Sequence, residues 1–348
     1  MMAPPKKDVA TTTSPKKSYA EVAKGPRPKT LVEQLPSPVR FFLVIISSLA
    51  LSSTLFTLTS SITLGELGLI SKHLEEWWKV WGLMAWKAIE VGLAWTLGFD
   101  GHDVLNFSFL IHLPTYIFLS SFYGLRPTTI LTSYVIVLFS TTIPFTLLRN
   151  PALVHNLSRA SATAVSNRSI LQDWGITIYT TVLATAIYTV VLYLSYETWL
   201  PAQLVVHFEK LPNITKAHAG PAGLPILFIS LLPAGWAARD FLFVSSTGTP
   251  ASQGSDLEKE KSSSSKQGEY LACAIYRKTW GALSPRIRVL ISRTATLAAV
   301  LMINTAIQVA GTVNGASLEG ASAWGSVWTL STLIVGLTYG WIEAVDGL

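Results

Sequence analysis

The chain has few charged residues and almost no cysteine. Only 13% of its 348 residues are charged, against roughly 25% in a typical soluble domain, and a single Cys is present. So little charge cannot cover a water-facing surface, which excludes an ordinary soluble enzyme and a disordered regulator. One Cys also excludes a disulfide framework and a cysteine-built zinc site. These absences leave an integral membrane protein.

Long apolar stretches take the place of the missing charge. Half of the residues are hydrophobic, and the mean hydropathy is +0.43. A helix needs roughly 20 apolar residues to cross a bilayer core, and no stretch alternates apolar and polar residues as a membrane β-barrel would. The sequence therefore predicts an all-α, polytopic transmembrane helix bundle of about eight spans. The predicted spans are residues 41–64, 80–99, 104–123, 128–148, 175–198, 222–244, 290–313 and 322–342.

The distribution of positive charge predicts how the bundle is oriented. Loops on the cytoplasmic side of a membrane carry an excess of Lys and Arg. With eight spans and a cytoplasmic N-terminus, the cytoplasmic segments hold 18 of these residues and the opposite segments hold five. Without the second span, which contains Lys87 and Glu90, the totals become 11 and 13. Eight spans with both termini in the cytoplasm are therefore predicted.

This topology divides the chain into four regions. Residues 1–40 are predicted to be a disordered, basic cytoplasmic tail, in which Ser14 precedes a Pro as a candidate phosphorylation site. Residues 41–244 hold spans one to six, with an amphipathic, Trp-rich interfacial helix near 66–79. Residues 245–289 are predicted to be a cytoplasmic loop, Ser-rich at first and then a short interfacial helix. Residues 290–348 hold the last two spans and a short tail.

Motifs of enzyme chemistry are missing from the sequence. None of the six His residues pairs with another at the HxxxH or HExxH spacing of a metal site, and no GxSxG elbow or Walker A loop is present. Asp100 and Asp103 do not lie together in a predicted span, so a pair of intramembrane aspartates is not expected. We therefore predict no catalytic, cofactor-binding or metal-binding residues, no cofactor and no nucleic-acid partner. An enzyme is the less favoured interpretation.

Five polar residues inside the predicted spans form a candidate intramembrane site. Lys87 and Glu90 are one turn apart on one helix face and can neutralise each other. Asn304 and Gln308 are also one turn apart, and such residues more often bond across helices than contact a substrate. His112 is predicted to be packed in the third span. Ionisable groups in a bilayer often mark function, so a translocation path remains the alternative to a structural pair.

Two small-residue patterns predict close helix packing. Gly336 and Gly340 form a GxxxG pattern in the last span, and Gly311 and Gly315 form another at the end of the seventh. Small residues four apart allow helix backbones to approach closely. Packing within the chain is the favoured interpretation, and homodimerisation is the alternative.

Asn213 is the predicted glycosylation site. Four Asn-X-Ser/Thr sequons occur, and Asn213 is the one that falls in a predicted outer loop of useful length.

Several stretches of the chain carry a family resemblance. They are FYGLRPTTIL (122–131), SNRSI (166–170), TWLPAQLVVHF (198–208), LLPAGWAARDFLF (231–243) and SRTATL (292–297). From about residue 41 onward, the chain resembles uncharacterised multi-pass membrane proteins of filamentous fungi. The resemblance implies no particular activity and no site residues.

The sequence as a whole predicts a non-enzymatic membrane organiser or adaptor. Its expected location is an endomembrane, the endoplasmic reticulum first, and its expected partners are the lipid bilayer and other membrane proteins. A transporter or channel built around Lys87, Glu90 and the Pro-interrupted spans is the first alternative. A lipid-modifying membrane enzyme is the second.

Overall fold

The computed structural model describes residues 35–72, 76–158, 160, 165–209, 211–215, 220–249, 275–276 and 278–346. Within these ranges the chain is helical and has no β-strand, apart from two isolated bridges that join Ser71 to Val313 and Phe208 to Ala316. The prediction of an all-α helix bundle is confirmed.

Twelve α-helices are found in the described residues. They are α1 (Ser37–Leu58), α2 (Ser60–Ile70), α3 (Trp77–Thr96), α4 (Gly101–Phe122), α5 (Pro127–Leu148), α6 (Arg168–Gln172), α7 (Trp174–Glu197), α8 (Leu200–His207), α9 (Leu224–Ala238), α10 (Ser245–Thr247), α11 (Pro285–Thr312) and α12 (Leu318–Asp346). A π-helix, Arg239–Val244, joins α9 to α10, and 3₁₀ turns cover Leu153–His155 and Pro221–Gly223.

The connections between the long helices meet at two opposite ends of the bundle. One end, called here the arginine end, is made of residues 97–103, 149–155, 239–249 and 285–293. The other, called here the opposite end, is made of residues 66–72, 122–127, 207–214 and 312–317. At the opposite end the N–H of Asn314 donates to the carbonyl of Ile70 (2.9 Å), and the N–H of Asn213 donates to that of Phe122 (3.3 Å). Eight helical segments therefore run alternately between the two ends.

Six of these segments are long and apolar enough to cross a membrane, judged by length and composition. The other two, α3 and α12, are 20 and 29 residues long and run between the same two ends. Length and composition thus identify six candidate spans among the described residues, and the count of eight remains a prediction. Which end faces the cytoplasm stays a prediction.

The core of the bundle is centred on α4, α11 and α12. Helix α4 buries 15 of its residues, among them Phe107, Ile111 and Phe118. The indole Nε1 of Trp324 in α12 donates to the carbonyl of Pro114 in α4 (2.9 Å). Helix α1 lies at the rim, because Val44 and Ser48 are its only buried residues.

The first predicted span and the interfacial helix after it are both divided in the structure. Span 41–64 breaks at Thr59, where α1 has ended at Leu58 and α2 begins at Ser60. The predicted helix near 66–79 is wrong in its bounds, because α2 ends at Ile70 and α3 begins at Trp77. The tertiary fold causes this second break: Ser71 pairs with Val313 at the end of α11.

The four glycines of the two predicted packing patterns have different roles in the structure. Gly336 is a packing residue, since a Cβ added there would lie 2.3 Å from Cγ2 of Thr294 in α11. Gly311 and Gly340 make looser approaches, at 3.4 Å to Leu83 and 3.7 Å to Leu290. The prediction that Gly315 packs helices is wrong, because it lies in the turn after α11 with φ +76°. That turn requires the ability of glycine to adopt a positive φ, and not its small size within a helix.

The region boundaries in the described residues differ from the predicted ones at three places. Helix α1 begins at Ser37, inside the predicted tail, and α11 begins at Pro285, inside the predicted loop. Residues 245–247 continue the sixth helical segment as α10. Ser14, the rest of the tail up to residue 34 and the Ser-rich run at 262–265 lie outside the described residues.

Candidate functional site

Four of the five predicted intramembrane polar residues meet in one network. The ammonium of Lys87 donates to Oε1 of Glu90 (2.8 Å), and His112 Nε2 lies 3.3 Å from the same oxygen. The amide Nδ2 of Asn304 donates to the carbonyl of Ile111 (2.8 Å) and lies 3.3 Å from His112 Nδ1. Three helices, α3, α4 and α11, are thereby joined at one level of the bundle.

This intramembrane network is buried. The side chain of Glu90 is 1% exposed and that of Lys87 is 15% exposed. Trp86 Nε1 donates to Oδ1 of Asn304 (2.9 Å), so both functional groups of that amide are bonded. Gln308, the fifth predicted residue, accepts a bond from Thr312 at its backbone carbonyl. Pairing of this kind satisfies polar groups that the bilayer cannot solvate, although Oε2 of Glu90 has no hydrogen-bond partner among the described residues.

A second polar cluster, which the sequence did not predict, lies at the arginine end. Asp100 is the N-cap of α4: its Oδ1 accepts from the N–H of Asp103 (2.8 Å). Its Oδ2 accepts from the N–H of Ala152 (2.7 Å) and from Nδ1 of His155 (2.9 Å). One carboxylate therefore starts a helix and fixes the loop after α5.

Asp103 is held by Arg293 in a bidentate ion pair. Nη1 of Arg293 donates to Oδ1 (2.7 Å) and Nη2 donates to Oδ2 (2.8 Å), while Nη1 also donates to the carbonyl of Phe241 (3.1 Å). The guanidinium lies over the rings of Phe99 and Phe241, at 5.0 and 4.9 Å. Paired geometry of this type is among the stronger charge-assisted contacts in proteins.

The π-helix brings a further ion pair to the cluster. Arg239 donates to Oδ1 of Asp240 (2.9 Å) and to the hydroxyl of Thr177 in α7 (2.9 Å). Nδ1 of His102 lies 3.5 Å from Oδ2 of Asp240, and its ring stacks on that of His155 at 4.6 Å. Single-turn π segments are often found at functional sites.

A cavity of about 540 Å³ opens beside this cluster. Asp103, His155, Ser245, Trp280, Arg288 and Arg293 contribute to its lining. Apolar side chains, including Phe99, complete the wall. The cavity therefore combines cationic donors with apolar surface at one end of the bundle.

Asp100, Asp103 and His155 have the ligand types of a metal site, but their bonds fit an ion-pair network better. Their potential ligand atoms lie within 4.8 Å of one another. Each carboxylate already accepts charged or backbone donors, and a cation at Asp103 would face the guanidinium of Arg293. The geometry thus favours protein cations over a metal ion at these carboxylates.

The pKa of His155 responds to this environment. Burial lowers the pKa, but the hydrogen bond to Asp100 and the charges of Asp103 and Asp240 outweigh burial, so the pKa is raised above its ordinary 6.5. The pKa of the Asp100 carboxyl is lowered despite its burial, mainly by the bond from His155. Each charge therefore stabilises the other in the folded state.

Raising the pH above about 6.5 is expected to lower the free energy of unfolding. A group with a raised pKa in the folded state contributes stability below its unfolded pKa and loses it as pH rises through the folded value. His155→Gln should flatten this slope, as measured by denaturant unfolding of the purified protein between pH 6 and pH 9. His207→Gln is the control, because its partner Glu319 is 81% exposed and screened by water. Equal slopes for wild type and His155→Gln would contradict the assignment.

Sequence reasoning missed the arginine-end cluster because its members are far apart in the chain. Asp103 and Arg293 are separated by 190 residues. Two signals were available. Arg293 lies inside a predicted span, where a charge needs a partner. Asp100 at the start of a predicted helix also matches an N-cap position.

The fold and its internally paired polar groups define the chain as a helical membrane protein. A family model described as the Bouquet formation protein 3 C-terminal domain matches residues 173–307, which is less than half of the chain. No curated protein and no solved structure matches the chain. The matched part runs from the start of α7 into α11, so it contains Arg239, Asp240 and Arg293 but neither Asp100 nor His155.

Proposed function

We propose that the chain is a non-enzymatic organiser or adaptor that positions other membrane proteins in an endomembrane. The match of residues 173–307 to the Bouquet formation protein 3 C-terminal domain carries the proposal. That name describes a process of cellular organisation rather than a chemical reaction. The match therefore supports a protein that arranges other components rather than one that catalyses a reaction.

The intramembrane network supports the same role. A transport path needs polar groups that water or a substrate can reach, whereas Glu90 is 1% exposed and is bonded by Lys87 and His112. Buried and mutually paired groups instead tie α3, α4 and α11 together. Such a bundle provides a fixed platform for partners in the membrane and at the cytoplasmic surface.

The proposed location is the endoplasmic reticulum together with the nuclear envelope, with which its membrane is continuous. A fluorescent tag on the N-terminus of the chromosomally encoded chain should label the nuclear rim and the peripheral reticulum. Labelling confined to the plasma membrane or to mitochondria would contradict the location.

The organiser role is tested by following the neighbours of the chain after its deletion. A proximity-labelling enzyme on the C-terminus identifies neighbours, with the same enzyme on an unrelated multi-pass protein of that membrane as the matched control. Deleting the chain should displace at least one specific neighbour or lower its level. Neighbours that keep their location and level, together with solute flux through the purified protein in liposomes, would support the transporter alternative instead.

Asn213 tests the proposed orientation, in which the opposite end is lumenal. Its side chain is exposed at that end, and its Oδ1 accepts from the N–H and the hydroxyl of Thr215. Asn213→Gln should abolish any endoglycosidase-sensitive shift of the protein on a gel. Asn156→Gln, at the arginine end, is the control and should leave the shift intact. A shift that only Asn156→Gln removes would reverse the orientation.

A further inference from the structure

Two arginines, Arg288 and Arg293, line the cavity at the arginine end. Arg293 is matched by Asp103, whereas Arg288 has no carboxylate partner among the described residues. Arg288 donates through Nε to the carbonyl of Leu283 (3.0 Å) and through Nη2 to that of Gly281 (2.7 Å). These two bonds fix the guanidinium at the cavity wall and leave three of its five N–H groups without an acceptor in the described chain.

His155 adds a second unsatisfied group to the same wall. Its side chain is 7% exposed, and its Nε2 has no hydrogen-bond partner in the described part of the structure. Oδ1 of Asp103 lies 3.9 Å from that nitrogen, beyond hydrogen-bond distance. Because Nδ1 donates to Asp100, the ring is held with Nε2 in a fixed direction. A buried polar atom without a partner is costly unless a ligand satisfies it.

The remaining wall fits a molecule with both an anionic and an apolar part. Ser245 and Thr249 contribute hydroxyls, and Phe99, Val289 and Trp280 contribute apolar surface. Trp280 lies in the turn before α11, which begins at Pro285, and Trp is typical of the membrane interface. A volume of about 540 Å³ accommodates a headgroup-sized ligand.

We propose that this cavity is a binding site for a phosphate group, held by Arg288 together with His155. Arginine suits phosphate because its planar fork donates two parallel N–H···O bonds. The phosphate monoester of an anionic lipid and a soluble phosphate share this chemistry. The apolar wall favours the lipid. This site does not depend on the organiser role.

Binding is measured by calorimetry on the full-length protein in detergent micelles. The probe is phosphatidic acid with short acyl chains, and the matched control ligand is the diacylglycerol with the same chains, which lacks the phosphate. Phosphatidic acid should bind with one site per chain, and the diacylglycerol should not. Competition by inorganic phosphate would assign the site to a soluble phosphate, and its failure to compete would assign it to the lipid. Equal binding of the two lipids, or binding of neither phosphatidic acid nor phosphate, would overturn the proposal.

Arg288→Gln should weaken the binding of phosphatidic acid about tenfold or more, the expected loss of a charge-assisted hydrogen bond. Arg126→Gln is the control, because this exposed arginine lies at the opposite end of the bundle. Ser292, an exposed residue of the cavity wall, supplies a second pair of variants if Arg288→Gln fails to fold. Ser292→Asp should weaken binding by repulsion, and the uncharged Ser292→Asn should not. Equal affinities across either pair would also overturn the proposal.

Discussion

Replacing Lys87 with Met, or Glu90 with Gln, is expected to destabilise the fold by about 3–5 kcal/mol, the usual cost of breaking a buried ion pair. Each change leaves a buried charge without its main partner, since the pair is joined at 2.8 Å. His112 alone cannot replace the missing partner of the remaining charge, because its second ring nitrogen, Nδ1, already contacts the amide of Asn304. The free energy of unfolding of the purified protein in mixed micelles is the measurement.

The double variant separates a structural pair from a transport site. Lys87→Met with Glu90→Gln removes both charges, and buried pairs replaced together are often close to neutral. Stability should therefore largely return. Recovery of stability without recovery of the deletion phenotype would favour the transporter alternative, whereas recovery of both would leave the pair as a packing device.

Lys79 provides a matched control for this experiment. It pairs with Glu76 at 2.9 Å, with the same three-residue spacing in the chain, but the two side chains are 42% and 51% exposed. Exposed pairs contribute about 0–1 kcal/mol. Lys79→Met should therefore change stability little, and a loss as large as that of Lys87→Met would show that burial is not the cause.

Gly235→Ala is expected to destabilise the protein by about 1–3 kcal/mol, the usual cost of overpacking a well-packed core. A Cβ at this position of α9 would lie 2.0 Å from Oγ1 of Thr185 and 2.7 Å from the carbonyl of Thr181. Part of the obstacle is the backbone of α7, which cannot move aside as a flexible side chain would. Helices α7 and α9 would have to separate.

Gly82→Ala is the control for Gly235→Ala. Gly82 lies in α3 with no atom within 4 Å of the added Cβ, so the change should be neutral or slightly stabilising. Thermal unfolding of the two variants and the wild type in the same detergent gives the comparison. A Gly235→Ala protein as stable as the Gly82→Ala protein would contradict the close approach of α7 and α9.

The sequence by itself determined the class of fold and the positions of its long helices. Length and apolarity are properties of local composition, so the eight segments could be found without knowledge of their neighbours. The Lys87–Glu90 pair was predictable for the same reason, because residues three apart in one helix always share a face. Gly336 could be selected on local grounds too, since small residues are what permits close helix contact.

Only the tertiary structure decided which polar groups meet. The sequence placed His112 and Asn304 in separate spans, and helix rotation within the bundle directs both to the same network. Asp100 and His155 are 55 residues apart, and Asp103 and Arg293 are 190 apart. No local spacing in the sequence therefore predicts either pair. The break at Ser71 likewise depends on a distant helix end that supplies its partner at Val313. Lipid tails offer a buried polar group no hydrogen bond, so its partner has to come from the protein. The packing of whole helices determines which partner that is.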